Sequence, residues 1–264
     1  MAYPTVLYGP DSEVYKLYSS VSPAPGDNGP GGQIAQRGVH PLAQQLVLAD
    51  GRKFRFTLAG VLMVPGDVEQ GSAALTTSED QAPDATVVVD SRIITFTHGG
   101  ATTVINLFAE GYVTISVTPG GGHTYKIASH LALTSSVAGD IVNLAPGNAI
   151  RVELTTVSRI DLVRHPYANA IESPSATATG LPVGVAVSAI ASGGWGWLQT
   201  RGVAAVLTEQ TAVHGDRVAV PAQNDAGAAE VILDAAHVKR TPIGSVVAAA
   251  ADTKWSSVFL TLDG

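Results

Sequence analysis

Apolar and polar residues alternate with a period of two through much of this chain, and no long stretch carries a helical period. Alternation of this kind suits half-buried strands, because successive side chains of an extended backbone point to opposite faces. Leu46 and Leu48 run into Asp50-Gly51, after which Phe54, Phe56 and Leu58 alternate with Lys53, Arg55 and Thr57. Asp-Gly between two alternating runs is a strong hairpin signal. Further runs are Val87–Val89, Ile93–Phe96, and Tyr112–Thr118 with Val113, Ile115 and Val117 on one face. Pro119-Gly-Gly-Gly122 turns that strand toward Tyr125–Ala128, and Ile150, Val152 and Leu154 alternate with Arg151, Glu153 and Thr155. Turn signals at such short intervals predict an all-β chain, with a β-sandwich or barrel-like domain rather than helix-bearing α/β units.

An internal repeat refines this prediction. Pro182-Val-Gly184 recurs as Pro242-Ile-Gly244, 60 residues later, and at the same offset Val187 matches Val247, Ala189 Ala249, Ala191 Ala251, and Trp195 Trp255. Each copy reads as a hairpin, and two related hairpins can close a small C-terminal β-barrel that leaves no exposed sheet edge. Ahead of the β region, Tyr3, Tyr8, Tyr15 and Tyr18 precede Ser22–Gly32, in which 7 of 11 residues are Pro or Gly. Such a spacer cannot supply ladder donors, so it predicts an extended N-terminal arm whose tyrosines dock. The predicted organisation is an arm over residues 1–40, a β domain over 41–170, a linker over 171–182 and a small barrel over 183–264.

Charged residues make up 14% of the chain, against roughly 25% in an ordinary soluble domain. That deficit favours surface buried in an assembly, with self-association as one form of it. The formal net charge is −7 and the 15 Lys and Arg are scattered. Counterion-driven nucleic-acid binding needs a concentrated basic surface, so no direct nucleic-acid partner is expected. The absence of cysteine excludes a disulfide framework and thiolate chemistry. No signal peptide and no apolar run long enough for a membrane helix is expected.

Catalytic motifs are missing: there is no Gly-x-Ser-x-Gly elbow, Walker loop or His-Glu-x-x-His. Gly193-Gly-Trp-Gly196 lies between two strand patterns and reads as a hairpin turn. His40, His98, His123, His130, His165, His214 and His237 are each isolated, so no metal site is expected. Asp67 with Glu69, and Asp11 with Glu13, fall on one side of extended segments without a ligand-dense loop. No catalytic, cofactor or metal residue is assigned. Trp195 and Trp197 are two apart, which puts both rings on one sheet face, suited to core packing, to a subunit contact or to stacking on sugars.

Two ordered sets of residues carry a family resemblance. His40-Pro-Leu-Ala-Gln-Gln-Leu-Val-Leu-Ala-Asp-Gly-Arg-Lys-Phe-Arg-Phe56 resembles a "dGRxFrY" hairpin segment near the start of tailed-bacteriophage virion proteins, with Ala43 in place of a glycine and Phe56 in place of the tyrosine. Glu110-Gly-Tyr-Val113, Gly120–Ile127, Leu162–Tyr167 and Gly194–Gly202 follow in the same order as in those proteins. The resemblance implies a capsid decoration (cement) protein made in the host cytoplasm. It would sit on the capsid surface of the virion, bind the major capsid protein, bridge capsomers and often form a homotrimer. It brings no catalytic residues. Tyr3, Tyr8, Tyr15, Tyr18, Trp195 and Trp197 are then the candidate capsid or subunit contacts. The alternatives are a carbohydrate-binding or host-attachment module using Trp195 and Trp197, and a glycan-degrading enzyme with carboxylates brought together by the fold.

Overall fold

The computed structural model describes residues 6–16, 40–175, 178–220, 225–232 and 240–263. Among the described residues strand dominates, with two short 3₁₀ turns, as the two-residue period requires. The strands are β1 (Val6–Tyr8), β2 (Gln45–Val47), β3 (Lys53–Leu58) and β4 (Val68–Gln70). Next come β5 (Ile93–Phe96), β6 (Tyr112–Val117), β7 (Thr124–His130), β8 (Asp140–Leu144) and β9 (Arg159–Val163). The remainder are β10 (Ile171–Glu172), β11 (Pro182–Ala186), β12 (Trp195–Glu209), β13 (Arg217–Ala219), β14 (Ala229–Val231), β15 (Pro242–Ala248) and β16 (Lys254–Thr261).

Two compact units result. One holds Ala74–His165; the other joins residues 40–73 to residues 166–263 and includes the described N-terminal residues. The division departs from the predicted one. Residues 41–73 pair with the C-terminal strands, so they leave the domain predicted for 41–170. Within the predicted 171–182 linker, β10 is a hydrogen-bonded strand against β4. Local strand signals mark where strands lie but not which distant strand fills each edge.

The Ala74–His165 unit is a five-stranded barrel of order β5-β8-β7-β6-β9, closed by residues 81–83, which bridge Ile160 on one side and Phe96 on the other. Closure satisfies the backbone groups that an open edge would leave unpaired. Its core gathers the inward residues, among them Phe96, Phe108, Val113, Ile115 and Ile127. Val113 and Ile115 lie on the predicted face, while Val117 at the strand end is exposed. His130 is also buried here: its Nδ1 lies 2.6 Å from the Leu131 carbonyl, and its Nε2 accepts the Phe108 N–H at 2.9 Å. An accepting Nε2 requires the neutral ring, and burial lowers the His130 pKa in the same direction.

The other unit contains two rings of five strands that share β12. In the first ring the order is β3-β12-β11-β4-β10, closed by a parallel bridge between Ala59 and Ala170. In the second it is β12-β16-β15-β13-β14, closed by parallel pairing of Thr208 with Ala229. The two match pair for pair. Val185 opposite Gln199 corresponds to Ser245 opposite Phe259, and Ala186 opposite Leu198 to Val246 opposite Val258. Trp195 faces Leu58 as Trp255 faces Leu207. Met63 bridges Ile190 as Ala212 bridges Ala250.

The 60-residue repeat is therefore half of a larger one. Residues of β3 and β4 recur 149 positions later in β12 and β13, and the matching turns carry Val64-Pro-Gly-Asp67 and Val213-His-Gly-Asp216. The related hairpins do pair with one another, through β12 and β16, but they do not close a barrel by themselves: β13 and β14 complete the second ring, and β3, β4 and β10 complete the first.

The turn glycines show how the copies diverged. Gly66 and Gly215 have φ of +96° and +92°, a region that disfavours side chains. Around Gly215 there is open space, whereas a methyl on Gly66 would overlap the Trp255 indole. We expect Gly215→Ala to destabilise by about 1 kcal/mol. Gly66→Ala should lower stability further, because Trp255 must move as well. Urea midpoints that fall equally for the two variants would contradict the packing of Trp255 on this turn.

Candidate functional site

On the outer side of the first ring, β3 presents Phe54, Phe56 and Leu58 and β12 presents Trp195 and Trp197. Alternation dictates this grouping, since residues two apart share a face. Phe56 stacks on Trp195 with centroids 5.5 Å apart and an interplanar angle of 16°, and meets Trp197 edge-on at 5.1 Å. The His40 ring closes over them, 5.1 Å from Trp197 and 5.2 Å from Phe56. Leu46 and Val14 are buried in the same cluster, with Leu7 and Leu42 packed against it.

The described N-terminal residues thus lie on the chain's own first ring. β1 runs parallel to β2, and Arg52 donates to Asp11 at 2.6 Å. On this ring the side chains that pack are aliphatic, and the two described tyrosines face outward. Tyr8 is 82% exposed and Tyr15 55% exposed, while Val14 is 1% exposed. The 3₁₀ turn after β1 directs Val14 inward and its neighbour Tyr15 outward. Tyr3 and Tyr18 lie outside the described residues. Trp195 and Trp197 share a face as predicted, but that face is core: Trp197 is fully buried and Trp195 nearly so. Sugar stacking needs an open ring face, and neither indole offers one in this chain.

The equivalent outer face of the second ring is open. By the register above, Val203 stands where the first ring has Phe54, Ala205 where it has Phe56, and Trp255 where it has Trp195. Val203, Trp255 and Phe259 are exposed, Trp255 by 56%. A groove runs beside them, lined by Tyr15, Pro65, Val187, Val203, Ala205 and Trp255. A second, lined partly by Arg52, Arg201, Val203 and Phe259, adjoins it. Sequence inspection singled out Trp255 only as a partner of Trp195. Equal spacing in the two hairpins gave no sign that one copy is covered and the other bare.

A second grouping lies in the first ring, where Asp67, Glu69 and Glu172 come together. Glu172 is directly across the ladder from Glu69, at positions where the second ring pairs Val231 with Val218. The sequence pattern put Asp67 and Glu69 on one side; only strand pairing brings in Glu172. Glu69 is fully buried, and neither of its carboxyl oxygens has a hydrogen-bond partner. Burial, reinforced by Asp67 and Glu172, pushes its pKa up to about 8, and burial with Glu172 raises Asp67 to about 6. Among the described residues no grouping of His, Asp or Glu has the arrangement to hold a metal ion. The other acidic pair, Asp11 and Glu13, is engaged with Arg52 and Lys16. No family model, curated protein or solved structure matches this chain.

Because folding raises the Glu69 pKa from 4.5 to about 8, stability is greatest below the lower value and declines as pH rises through the higher one. Glu69→Gln should remove much of that decline, raising stability at pH 8.5 by on the order of 3 kcal/mol. It should change little at pH 4. Denaturant titrations at the two pH values test this, and a variant whose pH dependence matches the wild type would rule it out.

Proposed function

We propose that this chain is a non-catalytic capsid decoration protein of a tailed bacteriophage. It binds the outer face of a shell of major capsid protein and stabilises it by bridging capsomers, as a homotrimer at shell positions of threefold symmetry. The observation that carries the reading is the open aromatic and aliphatic face of the second ring, on a chain with few charges. Exposed Trp and Phe beside a groove suit a binding surface, since interface energy concentrates in a few aromatic anchors. The ordered resemblance over residues 40–205 supplies the partner class. A protein that binds the assembled shell and not its dissociated subunits stabilises the shell by mass action.

The carbohydrate-binding alternative loses its support with the burial of Trp195 and Trp197. The glycan-degrading alternative is not favoured either: Glu69 is fully buried, and neither groove described above is lined by the acidic grouping.

Undecorated shells of the same phage should cosediment with the purified protein at a saturating, stoichiometric level. Trp255→Ser combined with Phe259→Ser should weaken binding by tenfold or more, since loss of an anchor costs about 2 kcal/mol. The far-ultraviolet circular dichroism should not change, because both side chains are exposed. Full-strength decoration by the double variant would move the contact elsewhere. A wild-type protein that stays in the supernatant would overturn the function itself, and light scattering together with particle imaging tests the trimer.

A further inference from the structure

The first ring shows what covers a face of this design. Its cover is a short strand followed by a 3₁₀ turn, in which Leu7 and Val14 pack on the aromatic cluster and Asp11, between them, takes a hydrogen bond from Arg52. Arg52 lies at the near edge of that face, with its guanidinium 5.9 Å from the Phe54 ring centre.

At the register of the repeat, Arg52 corresponds to Arg201 and Phe54 to Val203. The second ring therefore has the same layout, an apolar face of Val203, Ala205, Trp255 and Phe259 with an arginine at its edge. Among the described residues no carboxylate pairs with Arg201, whose Nη1 donates to the backbone carbonyl of Asp263 at 3.1 Å. A guanidinium has five N–H donors in a planar fork, so one carbonyl leaves capacity for a carboxylate. The open face is also continuous with the covered one. Tyr15, next to the buried Val14, lines the groove beside Trp255, and Arg52 lines it too.

We propose that the open face of the second ring binds a strand-and-turn segment of another chain that carries two aliphatic side chains flanking an acidic one. That segment would repeat on the second ring the contacts that Leu7, Asp11 and Val14 make on the first. Residues 6–16 of this chain are engaged on the first ring, so the segment proposed for the second ring belongs to another chain. This inference rests on reading the face as the docking surface, and it specifies what the partner presents there. The aliphatic side chains seat against Trp255 and Val203, and the acid meets Arg201. Alternating polar positions of the segment stay in solvent, as Tyr8 does on the first ring.

The test uses the chain's own cover as probe: a fluorescein-labelled peptide of residues 6–16, Val-Leu-Tyr-Gly-Pro-Asp-Ser-Glu-Val-Tyr-Lys, titrated with the full-length protein and followed by anisotropy. Saturable binding with a Kd on the order of 100 μM is expected, weak because a free peptide gives up conformational freedom on docking. Trp255→Ser should weaken it by about tenfold. Arg201→Gln in the protein, or Asp→Asn at the position of Asp11 in the peptide, should weaken it about fivefold and remove most of its salt dependence. Absence of binding up to roughly 1 mM would overturn the inference. So would binding that Trp255→Ser leaves intact, which would mean exchange into the first ring. Shell binding without peptide binding rejects this inference alone. Peptide binding without shell binding upholds it and rejects the capsid reading.

Discussion

The structure of the larger unit depends on β12 having two sets of neighbours. At 15 residues it is far longer than the other strands, and longer than the five or six residues usual for a strand. Its first half pairs with β3 and β11, and its second half with β16 and, near its end, β14. Each half would expose a row of backbone donors and acceptors if its ring stayed open. Both rings close, and the register shift at Gln199/Arg201 marks where the strand leaves one and enters the other. Gly202, with φ of +87°, sits beside that shift, where an added methyl would meet Arg52. Asp263 ties the end of the chain back to the first ring, accepting two hydrogen bonds from Arg55 and one from Thr200.

Two copies of one hydrogen-bond pattern have been filled differently. The second ring pairs the buried Val218 and Val231 where the first pairs Glu69 with Glu172. A buried carboxylate without hydrogen-bond partners is costly unless it takes up a proton. Burial and the neighbouring carboxylates raise Asp67 to about 6 and Glu69 to about 8 in the first ring, whereas the second has valines at the positions of Glu69 and Glu172. Backbone register survived this divergence because ladder hydrogen bonds do not depend on which side chains the strands carry.

The outer faces diverged in the opposite sense. Phe54, Phe56, Trp195 and Trp197 form a surface too apolar to leave in water, and the N-terminal segment with His40 and Leu42 covers it. The corresponding face of the second ring holds smaller groups at the Phe54 and Phe56 positions and remains open around Trp255. An indole at the same register is core in one copy and surface in the other. The difference lies in whether another segment reaches it.

The sequence by itself determined the strands and much of their facing. Alternation at Phe54, Phe56 and Leu58 placed those rings together, Asp50-Gly51 marked the β2–β3 hairpin, and the 60-residue offset identified β11–β12 and β15–β16 as related hairpins. These are local properties, fixed by the two-residue period of an extended backbone and by turns that only certain residues adopt. Only the tertiary structure decided which strands share a ring. The first copy of the repeat is interrupted by Ala74–His165, so the Val64–Asp67 and Val213–Asp216 turns lie too far apart for a short-range comparison to join them. Tertiary structure also decided that Val14 rather than Tyr8 or Tyr15 anchors the N-terminal segment, that Glu172 joins Asp67 and Glu69, and that Trp255 rather than Trp197 faces solvent. Each of these depends on a partner distant in the chain, and burial is a property of what covers a residue, which the residue's own neighbours in sequence do not encode.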